Sequence, residues 1–450
     1  MPYIPHTEKD IEKILKAVGA SSIEDLLGAL PASLRLAGGL NLPKGLSEQE
    51  LAAVLKDLSL RNSTAGEYIS FLGAGAYNHY IPAVVDSLVS RSEFYTSYTP
   101  YQPEVSQGTL QAIFEYQTLV CQLTSMDVSN ASLYDGASAT AEAVLMARRI
   151  TGKNAVLLSS ALHPEYRETV RTYMAGASDH VSEVFYCTEA GRTVPEAVEA
   201  AVTGDTACLV VQHPNFFGSL EDVEALARII HGKKGLLIVV TNEAVSFGLL
   251  KPPGEIACDI AVGDNQSFGN PLNYGGPYLG FMAVRSEFVR QMPGRIIGET
   301  IDKNGKRAFC LTFATREQHI RRERATSNIC TNHGLCALSA AVHLVSLGST
   351  GLKKLAELNL LKANYLKERL CAESGVKAAF SSPVFNEFTI KVDKDPDSVL
   401  KALLKKKIMG GVALKRFYPE LDRHILVAAT EMNSKEDIDR FAAELGKLLQ

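Results

Sequence analysis

Residues 236–268 read LLIVVTNEAVSFGLLKPPGEIACDIAVGDNQSF, and this stretch sets the fold class. It opens on an unbroken apolar run, 236–240, and closes on a second, 260–262. Each run gives way at once to polar residues. A strand covered on both faces needs such continuous Val, Ile and Leu rather than alternation. Two further runs stand upstream, Val156-Leu157-Leu158 and Cys208-Leu209-Val210-Val211. Segments with helical spacing lie among them, at 166–174, 194–202 and 223–230. Strands alternating with helices predict an α/β fold around a mostly parallel sheet. Ligands of such sheets bind beyond the carboxyl ends of the strands.

The residues just past each run are therefore the ones to read for function. After 260–262 comes GDNQSFGNPLNYGGPYLGFMAVR, with Gly269, Gly275 and Gly276 beside Pro271 and Pro277. Bare backbone of this kind lets a ligand approach closely. Yet the stretch holds no Lys, His or Cys, and its one acid is Asp264. After 236–240 come Thr241, Asn242 and Glu243, which reach either a ligand or the next turn. His163 comes after the run at 156–158, placed either to stack on a flat ligand or to bond its own loop.

Elsewhere, Tyr134-Asp135-Gly136-Ala137-Ser138-Ala139-Thr140 puts small residues at a helix start that runs to about Ile150 and ends at Gly152. Free N–H groups there form an anion cradle, to which Ser138 and Thr140 can add hydroxyls. Tight packing of the helix on the sheet explains the small residues equally well. The loop 92–104, SEFYTSYTPYQPE, is aromatic and stiffened by proline, which suits recognition. Four arginines fall within residues 316–324, ahead of Thr326-Ser327-Asn328. Their forks suit phosphate, carboxylate or intersubunit pairing, and a solvated face is the plain alternative.

The rest of the chain frames these features. Residues 1–65 read as a helical arm, with caps at Thr7 and at Ser47, where SEQE forms a capping box. Residues 66–330 form the α/β body. Residues 331–450 form a small α+β domain, in which helices flank Gly348, Phe388, Ile390 and Val392 alternate with polar neighbours in a half-buried strand, and Asn433 caps the last helix. The 450 residues carry a net charge of -4, so no basic field invites nucleic acid or an anionic membrane. Apolar runs fall short of the roughly 20 residues of a membrane span. MPYIPHTEKD lacks the pattern of a signal peptide. Eight cysteines without CxxC read as reduced thiols of a cytoplasmic protein. Cys330, His333 and Cys336 make no convincing zinc set, and no metal is expected.

The motifs SYTPYQPEVSQGTLQAIFEYQT, NPLNYGGPYLGF and TREQHIRRERATSNICTNHGL resemble those of the glycine-cleavage P-protein, a glycine dehydrogenase (decarboxylating), in its two-chain form. The resemblance runs along essentially the whole chain and is to the first, α, subunit. It implies a fold-type I pyridoxal 5'-phosphate (PLP) architecture, where a lysine holds the cofactor as an imine and an acid pairs with the ring nitrogen. Here Gln266 and Ser267 occupy the expected His-Lys positions, and Asn242 stands where the ring acid belongs. Gly136, Ser138, Thr140 and His163 then remain as a relic cofactor pocket. The resemblance further implies that PLP is held by a β partner, in an αβ pair or its α2β2 double, and that the reaction passes an aminomethyl group from glycine to the lipoyl arm of H-protein. Residues expected to complete the partner's site are Tyr95, Tyr98, Thr99, Tyr101, Gln102, Glu104, Thr326, Ser327 and Asn328, with Arg316 and His319 at the interface or on a carboxylate. The competing readings are a scaffold subunit and a stand-alone enzyme anchored by an unusual lysine such as Lys251.

Overall fold

The computed structural model describes residues 5–36, 38, 40–96, 98–313 and 316–450. They form two compact units, residues 1–63 and residues 64–450. In the first, helices Glu8–Val18 and Glu48–Ser59 start at Thr7 and Ser47, each closed by a capping box with Asp10 or Glu50. Neither helix buries a residue.

The second unit is built on a seven-stranded sheet. Its order is Val128–Ser129, Gly280–Val284, Ile260–Asp264, Leu236–Thr241, Thr206–Gln212, Ala155–Ser159 and Val181–Val184. The strands from Ile260–Asp264 to Val181–Val184 are parallel; Gly280–Val284 runs antiparallel to both its neighbours. Helices Pro164–Tyr173, Pro195–Ala201 and Val223–Gly232 supply the crossovers. The continuous apolar runs result from burial on both faces. Leu209, Val211, Leu237, Val239 and Ala261 pack into one core, and Cys208, Val210, Ile238, Val240 and Val262 into the other. The alternation is that of a pleated strand. Each buried Val, Leu or Ile side chain contributes about 1.5–3 kcal/mol.

A four-stranded antiparallel sheet, Val376–Ala378, Glu387–Val392, His424–Ala428 and Val412–Ala413, comes later in the sequence. Helices Gly334–Cys371 and Lys435–Leu449 cover one face through Leu366, Leu370, Phe441 and Leu445. The expectation of a half-buried strand at 387–392 is corrected. Glu387 and Thr389 are buried as well, because the other face receives residues 73–77 and the Phe217 carbonyl, which accepts from Thr389. Two smaller points also differ or sharpen. Ser434, not Asn433, caps the last helix, since Asp437 three residues on closes a capping box. Gly348, with non-helical φ 61° and ψ 177°, divides the helical stretch Gly334–Cys371 into two helices, where the sequence expects the break. By length and composition the whole stretch is long and apolar enough to cross a membrane. Its apolar residues Ala337, Ala340, Leu344 and Leu352 pack instead into the core beneath the large sheet.

Candidate functional site

The carboxyl ends of the parallel strands converge on His163, Asn242 and residues 264–267. His163 opens helix Pro164–Tyr173 as its N-cap, with Nδ1 accepting from the Glu165 N–H. Nε2–H is therefore the donor in its 2.9 Å bond to the Ala74 carbonyl. Burial holds the ring below its ordinary pKa, consistent with a neutral imidazole. Asn242 is buried, and neither polar atom of its amide finds a partner among the described residues. Gln266 accepts from the Tyr77 N–H at 3.0 Å and donates to the Asn270 carbonyl at 2.7 Å. The Ser267 hydroxyl donates to Glu243 at 2.9 Å.

Glu243 is the hub of this cluster. Besides Ser267 it accepts from Asn386 at 2.9 Å, from the Val245 N–H at 3.0 Å and from His79 at 3.0 Å. The other nitrogen of His79 stands 2.8 Å from Glu431. Burial alone would lower the His79 pKa, but the two carboxylates outweigh it and raise it to about 10. Burial likewise opposes ionisation of Glu431, and His79 overrides it, taking the carboxyl to about 2. Among the described residues no cation stands beside Glu387. Burial pushes its pKa to about 8, against hydrogen bonds from the Ala74 N–H (2.6 Å) and the Tyr77 hydroxyl (3.0 Å).

The expected anion cradle is built as the sequence places it, on helix Gly136–Thr151. Its donors are turned to the chain itself. The Gly136 N–H meets Asp264 at 3.0 Å, the Ser138 N–H meets Asp135 at 2.7 Å, and the Thr140 hydroxyl caps the Gly136 carbonyl at 2.7 Å. Asp264 also accepts from the N–H groups of Gln266 and Leu279, while burial raises its pKa to about 6. Lys251 is far more exposed and pairs with Glu224 at 3.1 Å. No lysine occurs from 154 to 232 or from 252 to 302.

A second feature lies where the aromatic loop passes. Tyr95 and Tyr98 are 66% and 86% exposed, and Gln102 and Glu104 are exposed too. Together with Thr99 and Pro100 the two tyrosines line a cavity of about 230 Å³, whose polar floor includes Arg295, Thr331 and Asn332. Arg295 is only 4% exposed. Its fork donates to the Tyr101 hydroxyl (3.1 Å), the Cys330 carbonyl (2.8 Å), Thr331 (3.2 Å) and Asn332 (3.0 Å). Its guanidinium also lies 5.4 Å from the centre of the Tyr101 ring. Arg295 thus ties the aromatic loop to the segment just after Thr326-Ser327-Asn328. Thr326 and Ser327 themselves line a separate, narrow crevice with Arg316. Arg316 donates to the carbonyls of Phe313 and Gly294. Asn328 accepts from Gln318 at 2.8 Å. The His319 side chain lies outside the described residues. Sequence reasoning missed Arg295, His79, Glu387 and Glu431; each stands alone in the sequence, and its partners are remote in the chain.

A family model described as "Glycine cleavage system P-protein" matches residues 1–445. "Probable glycine dehydrogenase (decarboxylating) subunit 1" of Desulfitobacterium hafniense is 52% identical over 448 residues, covering 100% of both chains. The protein of the same description from Geobacillus thermodenitrificans is 50% identical over 444 residues, 99% of this chain and 98% of that one. A crystal structure of glycine decarboxylase (P-protein) of the glycine cleavage system, in inhibitor-bound form, superposes with a TM-score of 0.90 at 43% identity over the full length of both. A sphingosine-1-phosphate lyase of Burkholderia pseudomallei shares the fold, with a TM-score of 0.66 at 16% identity over 93% of this chain and 94% of that one.

Proposed function

The chain belongs to the glycine cleavage system P-protein family, and from that premise we propose that it is the α subunit of a two-chain glycine decarboxylase, completing a site whose PLP is tethered to the β partner. The observation that carries the reading is a contrast within one molecule. The groups at the strand ends are spent on one another: Ser267 on Glu243, Gln266 on Tyr77, Gly136 on Asp264. Around Arg295, by contrast, aromatic rings stand in solvent over an open cavity. The PLP fold fits this chain as architecture, while the residues at its cofactor positions do not fit the cofactor. Neither Gln266 nor Ser267 can form an imine, and the Asn242 amide cannot hold a ring nitrogen protonated as a carboxylate would.

In this reading the chain's own residues shape, orient and exclude water. Tyr95, Tyr98, Thr99 and Tyr101 form a wall, with Gln102 and Glu104 at its rim. Tyrosine suits the role, giving large contact area for little conformational entropy. Thr326, Ser327 and Asn328 add to the partner's site from a separate crevice, which Thr326 and Ser327 share with Arg316, with His319 in the same segment. The reaction is decarboxylation of glycine, with transfer of the aminomethyl group to the lipoyl arm of H-protein. The αβ pair doubles to α2β2 and works in the cytoplasm. A PLP enzyme anchored on Lys251 is disfavoured by that residue's exposure and its pairing with Glu224. The test is glycine-dependent CO2 release by this chain reconstituted with its β subunit and lipoylated H-protein. Tyr98→Ala should cut turnover while leaving the melting of this chain unchanged. Unchanged turnover in an intact complex would leave the chain a scaffold.

A further inference from the structure

We infer that residues 73–79 are a built-in occupant of this chain's own cofactor cleft, so that the cleft takes no PLP and works as an internal staple between the two sheets. The inference rests on the family reading and deepens it: the second pocket of the pair is filled, not merely short of a lysine.

Three features of the cleft are already used. The first is the Nε2–Cδ2 edge of His163. Gly75 lies against it with φ +92°, and a Cβ added there would stand 3.2 Å from the imidazole and 3.4 Å from Asn242 Nδ2. A ring lying between His163 and Asn242 would have to displace this backbone. The Ala74 carbonyl, moreover, already accepts from the imidazole at 2.9 Å. The second is the anion position. Asp264 supplies a carboxylate at 3.0 Å from the Gly136 N–H. A phosphate at that helix start would meet a buried group of like charge. The third is the histidine position of the expected His-Lys pair. The Gln266 amide pairs with Tyr77 as a backbone unit would, accepting from its N–H at 3.0 Å and donating to its carbonyl at 3.2 Å.

The same segment is gripped from the opposite side by residues of the four-stranded sheet and its loops. Glu387 takes the Ala74 N–H and the Tyr77 hydroxyl. Glu431 takes His79 and the Tyr80 N–H. Thr430 donates to the Asn78 carbonyl at 2.7 Å. Gly73 has no room for a side chain, since a Cβ would fall 2.1 Å from Glu387 Oε1. Residues 73–79 thus bridge His163, Gln266 and Glu243 on one side to Glu387 and Glu431 on the other. The Asn242 amide has no partner among the described residues, and Gly75 lies against it.

The test uses the unaltered full chain. Pyridoxine 5'-phosphate lacks the aldehyde and so forms no imine with exposed lysines. It is titrated calorimetrically, and backbone hydrogen exchange of residues 73–79 is monitored with and without it. The expected results are no saturable one-site heat, and exchange at Ala74 and Tyr77 slower than in the 98–104 loop by on the order of 100-fold or more, indifferent to the ligand. Saturable binding at one site, or exchange at 73–79 as fast as in that loop, would overturn the inference. Turnover of the two-chain complex reads the partner's site alone. Binding of the analogue to this chain with turnover still lost in Tyr98→Ala would sink the staple and spare the subunit reading. No binding with turnover indifferent to Tyr98→Ala would do the reverse.

Discussion

Arg295 is where the proposed division of labour becomes measurable. Its buried fork holds the Tyr101 hydroxyl on one side and the Cys330 carbonyl, Thr331 and Asn332 on the other. Replacing it with Ala removes a charged donor from all four. A hydrogen bond to a charged group contributes about 1.5–3 kcal/mol. If the Tyr101 bond alone sets the position of the aromatic loop, the loss at about 1.36 kcal/mol per decade is roughly 10- to 150-fold in kcat/KM. Lys in its place offers a point charge that cannot span both sides at once, so Arg295→Lys should fall between Ala and the parent. The assay is glycine-dependent CO2 release by the complex with the β subunit and lipoylated H-protein, with a thermal melt of this chain in parallel. A kcat/KM within about 2-fold of the parent for Arg295→Ala, in a folded complex, would refute the reasoning.

The remaining predictions concern the staple. His79→Ala leaves Glu243 and Glu431 as uncompensated buried charges, and should lower the unfolding free energy of the full chain by about 3–5 kcal/mol in urea titrations. Because the folded His79 pKa is raised from 6.5 to about 10, its contribution is fully present below pH 6.5 and lost as pH rises through about 10. Urea midpoints across that window check this, and His79→Ala should flatten the slope. Glu387 has its folded pKa raised from 4.5 to about 8, so its contribution is likewise present below 4.5 and lost as pH climbs through about 8. Glu387→Gln mimics the protonated acid, and should remove that part of the pH dependence and gain stability over the parent at pH 9.

How much of the molecule is legible in the sequence depends on the range of the interactions. The strands 206–212, 236–241 and 260–264 are legible because burial on both faces demands continuous apolar residues. The helix start at Gly136 is legible because Tyr166 and the Gly263 backbone leave no room for a side chain, and the break at Gly348 because its φ of 61° favours glycine. Ser434 is missed as a cap only because the polar Asn433 precedes it; Asp437, three residues beyond Ser434, is the signal that decides. Glu387 is hidden for a different reason. Its alternation with apolar neighbours reads as a solvent-facing position, and its partners Ala74 and Tyr77 lie more than three hundred residues away in the chain. His79 and Glu431 are equally remote from each other. No local pattern encodes such pairs. The arginine cluster divides in the same way: Arg316 is buried against backbone carbonyls, while Arg321, Arg322 and Arg324 remain exposed.

The central claim concerns which polypeptide carries the cofactor. Borohydride reduction of the assembled two-chain complex, then peptide mass spectrometry of each chain, tests it most directly. The expected result is a phosphopyridoxyl group on one lysine of the β subunit and none at stoichiometric level on this chain. A stoichiometric label on any lysine of these 450 residues would contradict it.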